Sequence, residues 1–221
     1  MSEIMNSRSA FTPSSPTPEE NRRQGVRAAG KARSRKSLLD AAKRLFMQRG
    51  YEGATVREIA AAAGLSTGAV FASFADKSDL FNEVLLVDLQ EQVEQMRDAG
   101  AGPGSTSERL TRALEAGYRR QLPQLELLRA AVAVSWSQGL SGDVGDRPVR
   151  SAVIAQLREL LRAGVDKGEL KSDAEVELIA ETLWDCYIRS YRLALYESWD
   201  REALIQRLRG QIELLLAGQR A

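Results

Sequence analysis

The chain has 221 residues, 43% hydrophobic and 28% charged, with a net charge of +1, which allows one or two domains with a sizeable core. It has no histidine and one cysteine, Cys186, which excludes His-based triads, imidazole metal sites, intramolecular disulfides and Cys-rich zinc sites. No stretch is long and apolar enough to cross a bilayer and no signal-peptide core is present, so a cytoplasmic protein without cofactor or metal is expected, in keeping with a lone thiol.

The charge is unevenly spread. Residues 1–80 carry 13 Lys/Arg against 8 Asp/Glu, and residues 81–221 carry 18 against 22. A basic front attached to a mildly acidic remainder suits a nucleic-acid reader joined to a module that does something else. Residues 1–30 contain Pro13, Pro16 and Pro18 among Ser, Thr and Asn, with few apolar residues, and are expected to be a disordered tail. The tail ends in a basic run, Arg22, Arg23, Arg27, Lys31, Arg33, Arg35 and Lys36. Such an arm can lie along phosphates or enter a minor groove; it can equally be a solvated helix start.

A first helix is expected from about Ala32 to Arg49, burying Leu38, Leu39, Ala42, Leu45 and Phe46 and ending at Gly50. Two short helices follow. Thr55 and Ser66 have the character of N-caps, and Glu58 completes a capping box with Thr55. Ile59, Ala63, Leu65 and Val70 fall where the two helices must touch, small Ala60 permits close approach, and Gly64 suits a turn that needs positive φ. A pair of this kind lays its second helix in the DNA major groove. A fourth helix, capped by Asp76, should run to about Asp98 and break at Gly100–Gly104.

Four or five more helices follow by pattern, near 107–120, 123–138, 147–167, 173–198 and 201–217, and no long alternating run suggests a sheet. The expected class is therefore all-α. The helix at 173–198 carries two apolar stripes, one through Val176, Ala180, Leu183, Tyr187 and Ala194, the other through Trp184, Ile188, Tyr191, Leu195 and Trp199. The last helix is similarly rich, with Leu204, Ile205, Leu208, Ile212, Leu215 and Leu216. A helix apolar on two sides is buried on two sides. A homodimer built as a four-helix bundle would bury the second stripe through Trp184, Ile188, Tyr191, Leu195, Leu204, Leu208, Ile212 and Leu215; packing both stripes inside one chain is the alternative.

The segment from Arg35 to Leu80 resembles the DNA-binding domain of the tetracycline-repressor (TetR) family of transcription regulators. The likeness rests on Ala41-Ala42 with Leu45-Phe46 before Gly50-Tyr51, on Thr55-Val56 with Ile59-Ala60, and on Phe71-x-x-Phe74-x-x-Lys77. The resemblance implies a helix-turn-helix domain over 31–80 and a helical ligand-binding and dimerisation domain over 81–221. It also implies a repressor that a small-molecule effector releases from a palindromic operator in double-stranded DNA, with no enzymatic activity.

Within that resemblance, Thr55, Ser66 and Lys77 match positions that contact the DNA backbone, and Arg35 and Arg57 are further candidates. The base-facing set is Thr67, Gly68, Ala69, Phe71 and Ser73. None of these can make the bidentate contact that Arg, Asn or Gln makes with a base, so shape and backbone readout should weigh more. The family usually has a tyrosine at Phe71, a tyrosine or histidine at Ser73 and a threonine at Ala69, so several polar or aromatic contacts are missing. Tyr118, Arg119, Trp136, Trp184 and Tyr187 are the candidate effector contacts, suited to an apolar or aromatic molecule, although aromatics at helical spacing also serve as plain core. Two other readings compete: an architectural, nonspecific DNA-binding protein without an inducer, and a dimeric ligand carrier that has lost DNA binding.

Overall fold

Where apolar residues recur every three or four positions, the chain coils and buries that stripe. The computed structural model describes residues 18–137 and 146–221. Its α-helices are α1 (Pro18–Gly53), α2 (Val56–Ala62), α3 (Thr67–Phe71), α4 (Lys77–Ala101), α5 (Thr106–Gln121), α6 (Leu125–Ser137), α7 (Asp146–Asp166), α8 (Val176–Glu197) and α9 (Arg201–Ala217), with a 3-10 turn at Leu122–Gln124. Among the described residues there is no strand, only a bridge between Leu170 and Arg220. The all-α class is as expected. One boundary differs: α1 begins at Pro18, so residues 18–30, expected in a disordered tail, are helical. Proline fits there because its missing N–H falls in the first turn, which has no intrahelical acceptor. Residues 1–17 lie outside the described residues, as does most of the loop expected at 141–148.

Local signals placed the ends of the front helices. Gly50 kinks α1 at φ 70° and ψ 176°. Gly64 takes φ 70° in the turn between α2 and α3, a conformation that glycine adopts without a Cβ clash. Asp76 caps α4 by accepting from the Asp79 N–H at 2.8 Å. Ser105 and Glu108 form a capping box at α5.

Two apolar cores result. The front one gathers Leu38, Ala41, Ala42 and Phe46 of α1, Ile59 and Ala60 of α2, Val70 and Phe74 around α3, and Leu80, Phe81 and Val84 of α4. Phe46 meets Phe81 edge-on at 4.9 Å between centroids. Leu127 and Ala130 of α6 join this core from the other half of the chain. The second core is built by Met96 of α4 with the inward faces of α5, α7, α8 and α9. At 1.5 Å per residue, α4 is about 37 Å long and serves both cores.

The second core corrects the expected dimer face. Trp184, Tyr191, Leu204, Leu208 and Ile212 are buried within the single chain. Trp184 and Tyr191 of the second α8 stripe therefore pack inward as well, in one core with residues of α5, α7 and α9. Ile188 and Leu215 are only partly covered at its edge, as is Leu195.

Candidate nucleic-acid interface

The α2–α3 pair is held by a small set of polar fasteners around the front core. The Thr55 hydroxyl donates to Glu58 Oε2 at 2.7 Å, and the Thr55 N–H donates to the same oxygen at 3.1 Å. Arg49 donates to the other carboxylate oxygen at 2.5 Å. These hydrogen bonds, Thr55's first and then Arg49's, hold the Glu58 carboxyl below the usual carboxylate range. Ser66 accepts from the Ala69 N–H at 3.2 Å and so begins α3. With Val70 and Phe74 turned into the core, the outward surface of α3 consists of Ser66, Gly68, Phe71 and Ala72, flanked by half-covered Thr67, Ala69 and Ser73. Phe71 is 53% exposed. Six expected contacts, Ser66, Thr67, Gly68, Ala69, Phe71 and Ser73, thus lie on α3 or immediately beside its ends, and exposed Arg57 lies on neighbouring α2.

Two expected phosphate contacts have internal partners. Lys77 donates to the carbonyls of Tyr51 at 2.9 Å and Ala54 at 3.3 Å, and its ammonium sits 4.2 Å from the Tyr51 ring centroid. It fastens the start of α4 to the end of α1. Arg35 donates to the Ser73 carbonyl at 3.3 Å, pairs with Glu83 at 2.8 Å and covers the Phe74 ring at 4.5 Å. Arg35 thus braces the segment that follows α3, and Lys77 the junction of α1 with α4.

Between the two cores lies a buried polar cluster that the sequence did not reveal. Asp88 of α4 accepts from Lys43 of α1 at 2.5 Å, Arg120 of α5 at 2.6 Å, Gln121 at 2.9 Å and Gln124 at 2.9 Å. Arg120 also pairs with Glu91. Burial pushes the Asp88 carboxyl up, but hydrogen bonds from Lys43 and Gln124, with the charges of Lys43 and Arg120, outweigh it and hold the group below its ordinary value. Gln121 donates onward to Gln92 at 2.8 Å, Gln92 donates to the Tyr187 hydroxyl at 3.3 Å, and Tyr191 donates to that hydroxyl at 2.5 Å. A continuous line of polar contacts therefore runs from α1 to the middle of α8. The signal for it was the inward stripe of α4, where Leu80, Val84, Asp88, Gln92 and Met96 recur every four residues and two of them are polar.

The expected effector residues divide. Tyr118 and Tyr187 stack at 4.7 Å, Trp184 lies 6.2 Å from Tyr187, and Tyr191, expected at a dimer face, stands edge-on to Tyr118 at 5.4 Å. Burial pushes the Tyr118 hydroxyl up to about 12. Ser190, whose own hydroxyl donates to the Cys186 carbonyl at 2.9 Å, lies beside the Tyr118 hydroxyl, which has no partner of ordinary hydrogen-bond geometry. Arg119 is a correction: it is exposed and pairs with Glu115 at 3.6 Å, since its neighbour Tyr118 takes the inward position. Arg120 is the arginine that reaches inward. The side chain of Trp136, at the end of α6, lies outside the described residues.

The comparisons agree with this geometry. The sequence model for bacterial regulatory proteins of the tetR family matches residues 38–84. The chain is 32% identical over 173 residues to the HTH-type transcriptional repressor KstR2 of Rhodococcus jostii, covering 74% of this chain and 82% of that protein. In fold it is similar to a protein assigned to the TetR family from Mesorhizobium loti, with a TM-score of 0.71 and 19% identity, covering 86% of this chain and 98% of the other. It is also similar to the regulator FadR of Bacillus subtilis, solved with stearoyl-CoA, with a TM-score of 0.66 and 18% identity, covering 83% and 98%. A helix pair with an exposed second helix, set on a helical body and matched along most of its length by a transcriptional repressor, marks a DNA-binding regulator, and the chain belongs to the TetR family.

Proposed function

We propose that the protein is a homodimeric repressor that holds a near-palindromic operator with α3 and is released from it by a small molecule bound beside Tyr118, Trp184 and Tyr187. The observation that carries this reading is the line of buried contacts from Lys43 through Asp88 and Gln92 to Tyr187, which joins the DNA-reading half to the aromatic core. A molecule that changed the Tyr187 environment would have different affinities for two settings of α4, and linkage would then lower operator affinity. The unpartnered hydroxyl of Tyr118 supports a hydrogen-bonding group on that molecule, and FadR's complex with stearoyl-CoA supports a ligand within this fold.

At the operator, Thr67, Gly68, Ala69, Phe71 and Ser73 face the bases, Thr55, Ser66 and Arg57 face the backbone, Arg35 braces the end of α3 and Lys77 fastens α4 to α1. The dimer uses the outer faces of α8 and α9, where Ile188, Leu195 and Leu215 are half-covered and Leu178, Tyr196 and Leu214 are 57%, 67% and 78% exposed. It sets the two α3 helices about 34 Å apart, one turn of the duplex. Selection of bound duplexes from a random pool tests this reading. An enriched two-half-site sequence is the expected result.

The lack of any Arg, Asn or Gln on α3 favours one other reading, a nonspecific DNA binder. Binding without enrichment, lost steeply with salt, would select it.

A further inference from the structure

α1 overhangs the folded body, and its overhang is cationic on the side that should be apolar. Stepping back from buried Leu38 by three and then by four residues, along one helical stripe, gives Arg35, Lys31 and Arg27. Downstream, the same stripe is Leu38, Ala42 and Phe46, all in the front core. Upstream, its members Arg27 and Lys31 are exposed, and the other faces are open too among the described residues: a Cβ at Gly25 or Gly30 would meet nothing within 4 Å, and Val26 is 66% exposed. Arg33 is exposed as well. The overhang leaves the body beside the end of α3, because Arg35 rests on the Ser73 carbonyl and the Phe74 ring. Arg27 and Lys31 then follow at intervals of about 6 Å along the axis. Within the helix-turn-helix, Arg35, Arg49 and Lys77 are engaged internally and Arg57 is the exposed cation on α2.

We infer that the first turns of α1 form a second DNA contact, in which Arg27 and Lys31 lie along the phosphate backbone next to the groove occupied by α3. The inference rests on the DNA-binding reading above. Its partner is the backbone rather than the bases, so its signature is electrostatic: each phosphate neutralised adds about 0.9 to the slope of log affinity against log salt.

The experiment measures binding of the full chain to a random-sequence duplex between about 50 and 200 mM salt, for the wild type, Arg27→Gln/Lys31→Gln, the charge-keeping Arg27→Lys/Lys31→Arg, and Arg97→Gln on the distant part of α4. Glutamine keeps helix propensity. The expected result is a slope reduced by about 1.8 per bound protomer in the glutamine variant, with the wild-type slope kept in the other two. A glutamine variant with the wild-type slope overturns the inference while leaving DNA binding intact. A wild-type chain with no salt-dependent binding overturns the DNA reading itself, and the inference with it.

Discussion

The two cores of this protein are built from different materials. The front core is aliphatic and aromatic throughout, and its polar groups (Thr55, Glu58, Ser66, Asp76) sit outside it as caps. The second core, with the seam joining it to the first, contains Asp88, Gln92, Gln124, Gln156 and Ser190 as buried polar residues, together with three tyrosine hydroxyls. A dry core has one well-packed arrangement and holds α3 at a fixed angle. A core with buried polar atoms carries desolvation penalties that depend on every partner staying in place, and such a region responds to a molecule that offers new partners. The contrast fits a rigid reader attached to an adjustable body.

Phe81→Ala should do most to break the contrast from the dry side. Removing a ring packed against Phe46 and Tyr51 should destabilise the front half by about 3–5 kcal/mol, read as a lowered denaturation midpoint and loss of DNA binding. Asp88→Ala probes the polar side. It leaves Lys43 and Arg120 facing each other without their carboxylate, at about 3–5 kcal/mol for a buried pair that loses one partner, measured in urea. The pH dependence has a definite sign. The folded Asp88 carboxyl titrates below its unfolded value of about 3.9, so its contribution is complete above that pH and fades as pH falls through the lower folded value. Asp88→Asn should flatten that acid limb; an unchanged limb would mean that other carboxylates govern it.

Gly117→Ala sharpens the comparison at one contact. A Cβ there would collide with the Tyr187 hydroxyl, so overpacking should destabilise by about 1–3 kcal/mol and weaken effector release more than DNA binding. Thr55→Ala should have the smallest effect, about 1 kcal/mol for a lost N-cap. It should reduce DNA affinity and leave ligand binding to the second core unaltered, which titration of a ligand found by screening would show.

The front half was legible because its signals are local. Thr55 and Glu58 are three residues apart, Gly64 stands at its turn, and Asp76 begins its helix; each acts through the backbone immediately beside it, so the residues alone name the structure. Helix positions in the rest were legible for the same reason, since the stripe of α9 is set by its own spacing. The side on which each stripe is covered was not, because that depends on segments far away in the chain. Trp184 and Tyr191 of the second α8 stripe proved internal once α5, α7 and α9 closed around them, while Ile188 and Leu195 stayed half-covered. Lys77 and Arg35 read as free cations until the fold brought the Tyr51 and Ser73 carbonyls within reach. Asp88 was one acid among many on α4 until α1 and α5 supplied two cations. Periodicity and caps are properties of neighbours in sequence and fix which segments coil; burial, ion pairing and the link between the two halves belong to residues that meet across 23 to 95 positions, and only the tertiary structure decides them.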